Sequence, residues 1–215
     1  MRIATETSRV CRSSSCDHPE SNVQREVIEA ELDAAEHCRR YYTTPASTAG
    51  CAVWSLYIYS LEPPRNPNRF DERAAAGQKI FQHEGCARCH TPPLYTSNKL
   101  TLAQGFDPPP DAPATLDILR MSVRTDPGLA LKTRKGTGYY KVPSLKGVWY
   151  RGHYLHDGSA ASLEEMFDPG RLEESHVPGG WTPPGTRTRA IAGHEFGLHV
   201  QPAEREQLLA FLRTL

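Results

Sequence analysis

Apolar residues recur at helical spacing in two parts of the chain, and each part predicts an amphipathic helix. The first helix runs from Glu72 to about Gln82, with Asp71 as its N-cap, and the second has Pro202 in its first turn. A glycine inside a helix costs about 1 kcal/mol relative to alanine. A close helix–helix approach at Gly77, in the first helix, would offset this cost. The apolar positions of the second helix are Leu208, Phe211, Leu212 and Leu215.

Weaker patterns predict further elements. A helix is expected from Ser21 to about Tyr41, and the apolar run Cys51–Leu61 favours a helix because it contains few β-branched residues. Residues 116–121 and 163–167 are expected to form short helices, the latter opened by a capping box at Ser162. The long stretch between the two amphipathic helices otherwise predicts loops.

These elements predict a mainly α fold in three parts. Residues 1–45 are expected to be a poorly structured N-terminal region with one weak helix. Residues 46–66 are expected to form a further helix, which ends at two consecutive prolines. Residues 67–215 are expected to form a domain of helices connected by long loops.

One short motif carries recognisable chemistry, the sequence Cys86-Ala87-Arg88-Cys89-His90. Two cysteines three positions apart, followed at once by a histidine, form the attachment sequence for a c-type haem. The two thiols add to the two vinyl groups of the porphyrin, and the histidine becomes the proximal ligand of the iron. The motif therefore predicts one covalently attached haem c.

Two other types of site share this cysteine spacing. Zinc sites usually add a second C-x-x-C or an H-x-x-x-H, and neither is present in the sequence. A thioredoxin-like redox pair would open a helix after a strand. Here the cysteines follow a predicted helix and lead into Thr91-Pro92-Pro93, so haem attachment is favoured.

Composition limits the partners and the location. The 25 basic and 25 acidic residues give no electrostatic reason to expect a nucleic-acid or membrane-surface partner. The longest apolar run is too short to span a bilayer. Because haem attachment is normally completed outside the bacterial cytoplasm, we expect a periplasmic or otherwise exported protein. Residues 1–20 lack the apolar part of a signal peptide, so we expect an upstream start or, preferably, a fragment of a longer protein.

Four cysteines lie outside the motif, and their spacing matches no metal site. We interpret them as incidental. They are Cys11, Cys16, Cys38 and Cys51.

Residues 142–165, VPSLKGVWYRGHYLHDGSAASLEE, resemble the C-terminal haem domain of the bacterial di-haem cytochrome c peroxidase superfamily. In that superfamily a P-[ST]-L-R-x-[VI] run leads to a Y-[FML]-H-D-G turn and then to a T-L-E-E helix. The resemblance covers about Ala74 to Leu215, and the helix at 46–66 looks like the end of the family's first haem domain. The matching residues are Pro143, Ser144, Leu145, Tyr154, His156, Asp157, Gly158, Leu163, Glu164 and Glu165.

The resemblance implies a cytochrome c-like domain with helices around a covalent haem. Gly77 and Phe81 resemble the small and aromatic residues at which the terminal helices of class I cytochromes c cross. Two features depart from the peroxidases: the chain has a single C-x-x-C-H, and the place of their distal methionine is near Gly170. Residues 192–198, AGHEFGL, look instead like the rubber-oxygenase-type branch, in which a late histidine can ligate iron.

The sixth iron ligand has several candidates. His194, in a glycine-flanked loop 104 positions after His90, is favoured. Met121, Met166 and His156 are alternatives, as is an open site.

Other residues are candidates for contacts with the porphyrin. Arg134 and Lys135 could pair with the haem propionates, and Trp149 or Tyr150 could stack at the haem edge. For the basic pair, a solvated loop is the alternative.

Two functions fit these features. In the first, the chain is an electron-transfer module that passes single electrons to a redox partner protein or to a second haem domain, as part of a longer di-haem protein. In the second, it is the half through which electrons enter a peroxidase- or oxygenase-type enzyme. A closed six-coordinate iron suits electron transfer, whereas peroxide or oxygen chemistry needs an open site.

Overall fold

A computed structural model describes residues 45–110, 112, 116–133 and 136–215. The chain divides into two compact units, Met1–Pro64 and Arg65–Leu215. The helix predicted from Ser21 to Tyr41 lies outside the described residues. The three-part division at residues 45 and 66 stays a prediction.

The described part of the first unit contains one helix, α1, at Pro45–Tyr59. This confirms the helix expected over the apolar run, although it begins earlier than expected. Cys51 on α1 forms a disulfide, so its interpretation as incidental is wrong. Cys11, Cys16 and Cys38 lie outside the described residues. Within those residues, no helix is long and apolar enough to cross a membrane.

Two long helices form the framework of the second unit. Helix α2, Glu72–His83, begins where the Asp71 carboxylate accepts a hydrogen bond from the backbone N–H of Ala74 at 2.9 Å. Helix α5 is Pro202–Arg213, with a capping box between Gln201 and Glu204. Both helices agree with the sequence predictions.

The crossing of α2 and α5 is close at Gly77, which confirms the prediction for this glycine. A Cβ atom at Gly77 would lie 1.9 Å from the carbonyl oxygen of Gln207 and 2.8 Å from Cβ of Phe211. Phe81, one turn further along α2, packs edge to face on Phe211 with ring centroids 5.3 Å apart. The two helices therefore share one buried core, centred on the residues of α5.

Between α2 and α5 lies a small sheet that the sequence analysis missed. Its strands are β1 (Leu100–Leu102), β2 (Ile118–Ser122) and β3 (Tyr139–Lys141), in the order β2-β1-β3. Strand β1 is parallel to β2 and antiparallel to β3. The prediction of a short helix at 116–121 is wrong, because residues 118–121 belong to strand β2 instead.

Two short helices complete the second unit. Helix α3 is Gly128–Lys132, and helix α4 is Leu163–Met166. Helix α4 begins at Ser162, whose hydroxyl accepts a hydrogen bond from the N–H of Glu165, as predicted. Two 3₁₀ turns, Cys86–Arg88 and Pro169–Leu172, follow α2 and α4. The cytochrome c-like fold class stays a prediction.

We expect Gly77→Ala to lower the free energy of unfolding by about 1–3 kcal/mol, because the added methyl group meets a backbone carbonyl that cannot move alone. Urea unfolding followed by circular dichroism would measure the change. Lys79→Ala, at an exposed position of α2, is the matched control and should change stability by less than about 0.5 kcal/mol. Equal stability of the two variants would contradict the close crossing.

Candidate functional site

The C-x-x-C-H motif lies on a tight turn directly after α2. Gly85, with φ of +73°, turns the chain out of the helix, and Cys86–Arg88 forms the first 3₁₀ turn. The backbone N–H of His90 donates to the carbonyl of Cys86 at 2.8 Å. The position of α2 therefore sets the position of the whole motif.

Both cysteines and the histidine of this motif line one cavity of about 670 Å³. This volume lies within the usual range for small-molecule and cofactor sites, about 300–1,000 Å³. Most of the wall is apolar, as such sites usually are. The apolar side chains include Phe81, Val142, Leu145, Val148, Leu155, Leu163, Met166, Phe167 and Leu212.

The ring of His90 is held by two backbone carbonyls. Its Nδ1 lies 3.1 Å from the oxygen of Tyr95 and 3.2 Å from the oxygen of Pro143. Because carbonyl oxygens only accept hydrogen bonds, Nδ1 must carry the proton, which leaves the lone pair on Nε2. Burial lowers the pKa of His90 and keeps the ring neutral. Neutral imidazole with a fixed Nδ1–H is the form that binds metals in proteins.

His194 lies opposite His90 in the same cavity. The two ring centroids are 6.3 Å apart, and the ring planes are inclined by 57°. Two imidazoles that share one metal ion, at metal–nitrogen distances of about 2.0–2.1 Å, have centroids roughly 6–6.5 Å apart. Burial, with smaller contributions from His90 and Arg171, lowers the pKa of His194 to about 4. The spacing and the neutral state of both rings therefore fit a metal held between them.

Backbone strain is concentrated around this cavity. Three non-glycine residues of its wall, His153, Leu155 and His194, have positive φ angles of 60°, 64° and 48°. Such conformations are unfavourable for residues with a Cβ atom, and they cluster at functional sites. Their presence supports the cavity as the functional site of the described unit.

The cavity brings together most of the predicted site residues, but not all of them. Cys86, Cys89, His90 and His194 line it, as do the alternative ligands Met166 and His156. Met121, in β2, is absent from its wall. Trp149 is also absent from the wall and packs on Tyr150 with centroids 4.9 Å apart. Arg134 and Lys135 lie outside the described residues, so their role and that of Trp149 stay predictions.

Two basic residues of the wall were missed by the sequence analysis. They are Lys141, at the end of β3, and Arg151, whose guanidinium donates to the carbonyl of Ser144 at 2.8 Å. Arg151 lies within residues 142–165, the stretch that carries the family resemblance, so the sequence did offer a signal for this residue. The position of Lys141 in the cavity wall follows from strand β3, which was not predicted, so the sequence offered no signal for it.

The pKa values of the two motif cysteines bear on the alternative interpretations of the motif, a zinc site or a redox pair. Cys86 and Cys89 are both free thiols. Burial raises the pKa of Cys89 and raises that of Cys86 to about 11. Reactive redox cysteines instead have lowered pKa values. No group of three or more His, Cys, Asp or Glu side chains in the described ranges could hold a metal ion, so zinc finds no ligand set there.

In the haem-free chain, Cys86 should react slowly with iodoacetamide at pH 8. A pKa of about 11 instead of 9.0 lowers the thiolate fraction roughly 100-fold. Peptide mass mapping of the alkylation time course would give the rate at this residue. We expect it to be far lower in the folded chain than in urea, and equal rates would contradict the burial of the thiol.

Comparison with known proteins gives a structural similarity but no sequence match. No protein-family model and no curated protein matches the sequence. The chain is similar to a crystal structure of a MauG-like protein associated with microbial copper homeostasis, with 18% identity and a TM-score of 0.42. The match covers 84% of this chain and 60% of that protein, so the chain spans less than two thirds of that protein's length. At this TM-score the similarity establishes no family for the chain.

Proposed function

We propose that the unit Arg65–Leu215 is a c-type cytochrome domain that binds one covalent haem and transfers single electrons. The observation that carries this proposal is the pair of neutral imidazoles, His90 and His194, 6.3 Å apart in an apolar cavity that the two motif cysteines also line. The haem iron, when bound, supplies the one-electron ferric–ferrous couple.

Each residue of the site has a separate task in this proposal. Cys86 and Cys89 would hold the porphyrin through their sulfur atoms, and their raised pKa values slow thiolate attack on other disulfides until then. His90, fixed by the carbonyls of Tyr95 and Pro143, would be the proximal ligand. His194 would be the distal ligand. The apolar wall would exclude water from the iron.

The propionates need positive partners. Lys141 and Arg151 line the cavity and carry the charges that would pair with them. Arg151 is the better placed of the two, because its hydrogen bond to Ser144 fixes the guanidinium. The sequence-based candidate Arg134 remains a further partner for the same groups.

Two histidine ligands favour electron transfer over catalysis. A closed six-coordinate iron leaves no position for peroxide or oxygen. Histidine also donates more strongly than methionine, so this ligation stabilises ferric iron and lowers the reduction potential. The peroxidase- or oxygenase-type enzyme is the second candidate, with this unit as the half that receives electrons. In that candidate the substrate would react at a second haem domain with an open iron, and the sixth position at this site would stay closed.

The proposed location is the periplasm or another exported compartment. Disulfides persist in oxidising compartments and are rare in the cytosol. The disulfide of Cys51 supports such a location, as does the requirement for haem attachment outside the cytoplasm.

The covalent attachment is tested by expressing the chain with an export signal and a c-type maturation system. The wild type should gain the mass of one haem that survives denaturation, and Cys86→Ser/Cys89→Ser should lose all covalent haem, because no thiol remains to form the bonds. Cys51→Ser, which removes a cysteine of the other unit, is the control and should keep its haem. A wild type without covalent haem would refute the proposal.

The distal ligand is tested by His194→Ala. The wild type should give a low-spin spectrum in both redox states, and the variant should become high-spin and bind carbon monoxide at least 10-fold faster, because it has lost a ligand. His83→Ala, at an exposed position of α2, is the control for histidine loss. If His194→Ala stays low-spin while Met166→Leu does not, Met166 is the ligand and the assignment of His194 is wrong.

A further inference from the structure

Arg171 is fully buried and hydrogen-bonded only to backbone carbonyls among the described residues. It lies in the second 3₁₀ turn, Pro169–Leu172, with 0% of its surface exposed. Its Nε donates to the carbonyl of Met166 at 2.9 Å. Nη2 donates to the carbonyls of Gly193 and His194 at 2.8 and 2.9 Å, and Nη1 donates to the carbonyl of Ile191.

A buried guanidinium is costly to keep without a carboxylate partner, and Arg171 forms no ion pair with any described acidic residue. The dipoles of four carbonyls replace the solvation that it loses. Only arginine can donate to four separately placed carbonyls in this way. Its planar group carries five N–H donors in a fixed fork, whereas lysine has all its donors on one nitrogen atom. Three of the four carbonyls belong to one short segment, residues 191–194.

This segment is confined on its other side as well. The N–H of His194 donates to the carbonyl of Val123 at 2.6 Å. Gly193 has φ of +80°, and a Cβ atom there would lie 2.3 Å from the backbone nitrogen of Thr125. The backbone at His194 is therefore held in its unfavourable left-handed conformation by contacts on both sides.

The two imidazoles of the cavity differ in how they are held. The ring of His90 is fixed by its own Nδ1 hydrogen bonds. Nδ1 of His194 is buried and has no hydrogen-bond partner within the described part of the chain. Nothing polar on that ring fixes its direction there, so the direction depends on the backbone that carries it.

We propose that Arg171 is a positioning residue that places the imidazole of His194 opposite His90 by fixing the carbonyls of residues 191–194. This rests on the proposed function, in which His194 is the distal ligand. Arg171 acts through the backbone and touches neither the ring nor the iron. Without its fork of donors, residues 191–194 would lose three hydrogen bonds, and His194 would be the ligand more easily lost, since a ligand without a hydrogen-bonded Nδ1 is the weaker donor.

The test compares Arg171→Lys and Arg171→Met in the haem-loaded protein. We expect both to become largely high-spin, to bind carbon monoxide at least 10-fold faster than the wild type, and to shift the reduction potential upward. Removal of a positive charge near the iron stabilises the ferric state, so the loss of charge alone would lower the reduction potential. Arg171→Lys, which keeps the charge but not the fork, therefore separates positioning from electrostatics: a wild-type spectrum and potential in this variant would overturn the proposal.

Ser162→Ala is the matched control for a general loss of packing. The Ser162 hydroxyl accepts a hydrogen bond from the N–H of Glu165 and caps α4, so it holds a neighbouring segment and not residues 191–194. It should lower stability without changing the spin state. A high-spin spectrum in this control would mean that any destabilisation frees the ligand, which would overturn the specific role of Arg171.

A second comparison uses the His194→Ala background. Arg171→Lys should there leave the spectrum and the carbon monoxide rate unchanged, because the ligand that it positions is already gone. A further increase in rate would show that Arg171 does not act through His194. If Arg171→Met fails to fold by circular dichroism, Arg171→Gln takes its place. Failure of the proposed function is recognised separately, since the wild type would then carry no covalent haem.

Discussion

The close approach of α2 and α5 at Gly77 is the contact on which the rest of the second unit depends. Helix α2 leads without a break into the turn that carries the C-x-x-C-H motif, and α5 supplies buried residues beside it. Any side chain at Gly77 would separate the two backbones. Such a separation would move His90 relative to the loops that complete the cavity, so the packing of the two helices contributes to the geometry of the cavity.

The two sides of the cavity are constructed on different principles. The proximal side is local except for one contact: His90 lies four residues after Cys86, and its Nδ1 donates to the carbonyl of Tyr95, five residues later, and to that of Pro143, 53 residues later. The distal side is assembled from three separate segments around residues 123–125, 166–171 and 191–194. The buried guanidinium of Arg171 connects the last two, together with a backbone hydrogen bond from the N–H of Ile191 to the carbonyl of Arg171. The proximal imidazole is thus fixed by bonds to its ring, and the distal one by bonds to its backbone.

This difference explains how much could be predicted from the sequence. Helices α2 and α5, the cap at Asp71 and the crossing at Gly77 follow from local patterns of apolar and capping residues. The sheet could not be predicted, because two of its three strands contain only three residues and their pairing is non-local. Arg171 gave no signal either, since an arginine after Pro169-Gly170 is normally a surface residue. Three of the four carbonyls that accept its hydrogen bonds lie at least 20 residues later in the chain.

The distal loop is also where an electron carrier and an oxidising enzyme would differ. Both need the same cysteines and the same proximal histidine, so the C-x-x-C-H motif cannot distinguish them. What distinguishes them is whether the sixth position of the iron is closed, and in the proposed site this depends on His194 being held in a strained conformation. Because that conformation is maintained by Arg171 and by the lack of a side chain at Gly193, these two residues matter as much to the function as the ligand itself. The chemistry of such a site is therefore decided by the groups that restrain the distal backbone and not by the haem-binding motif.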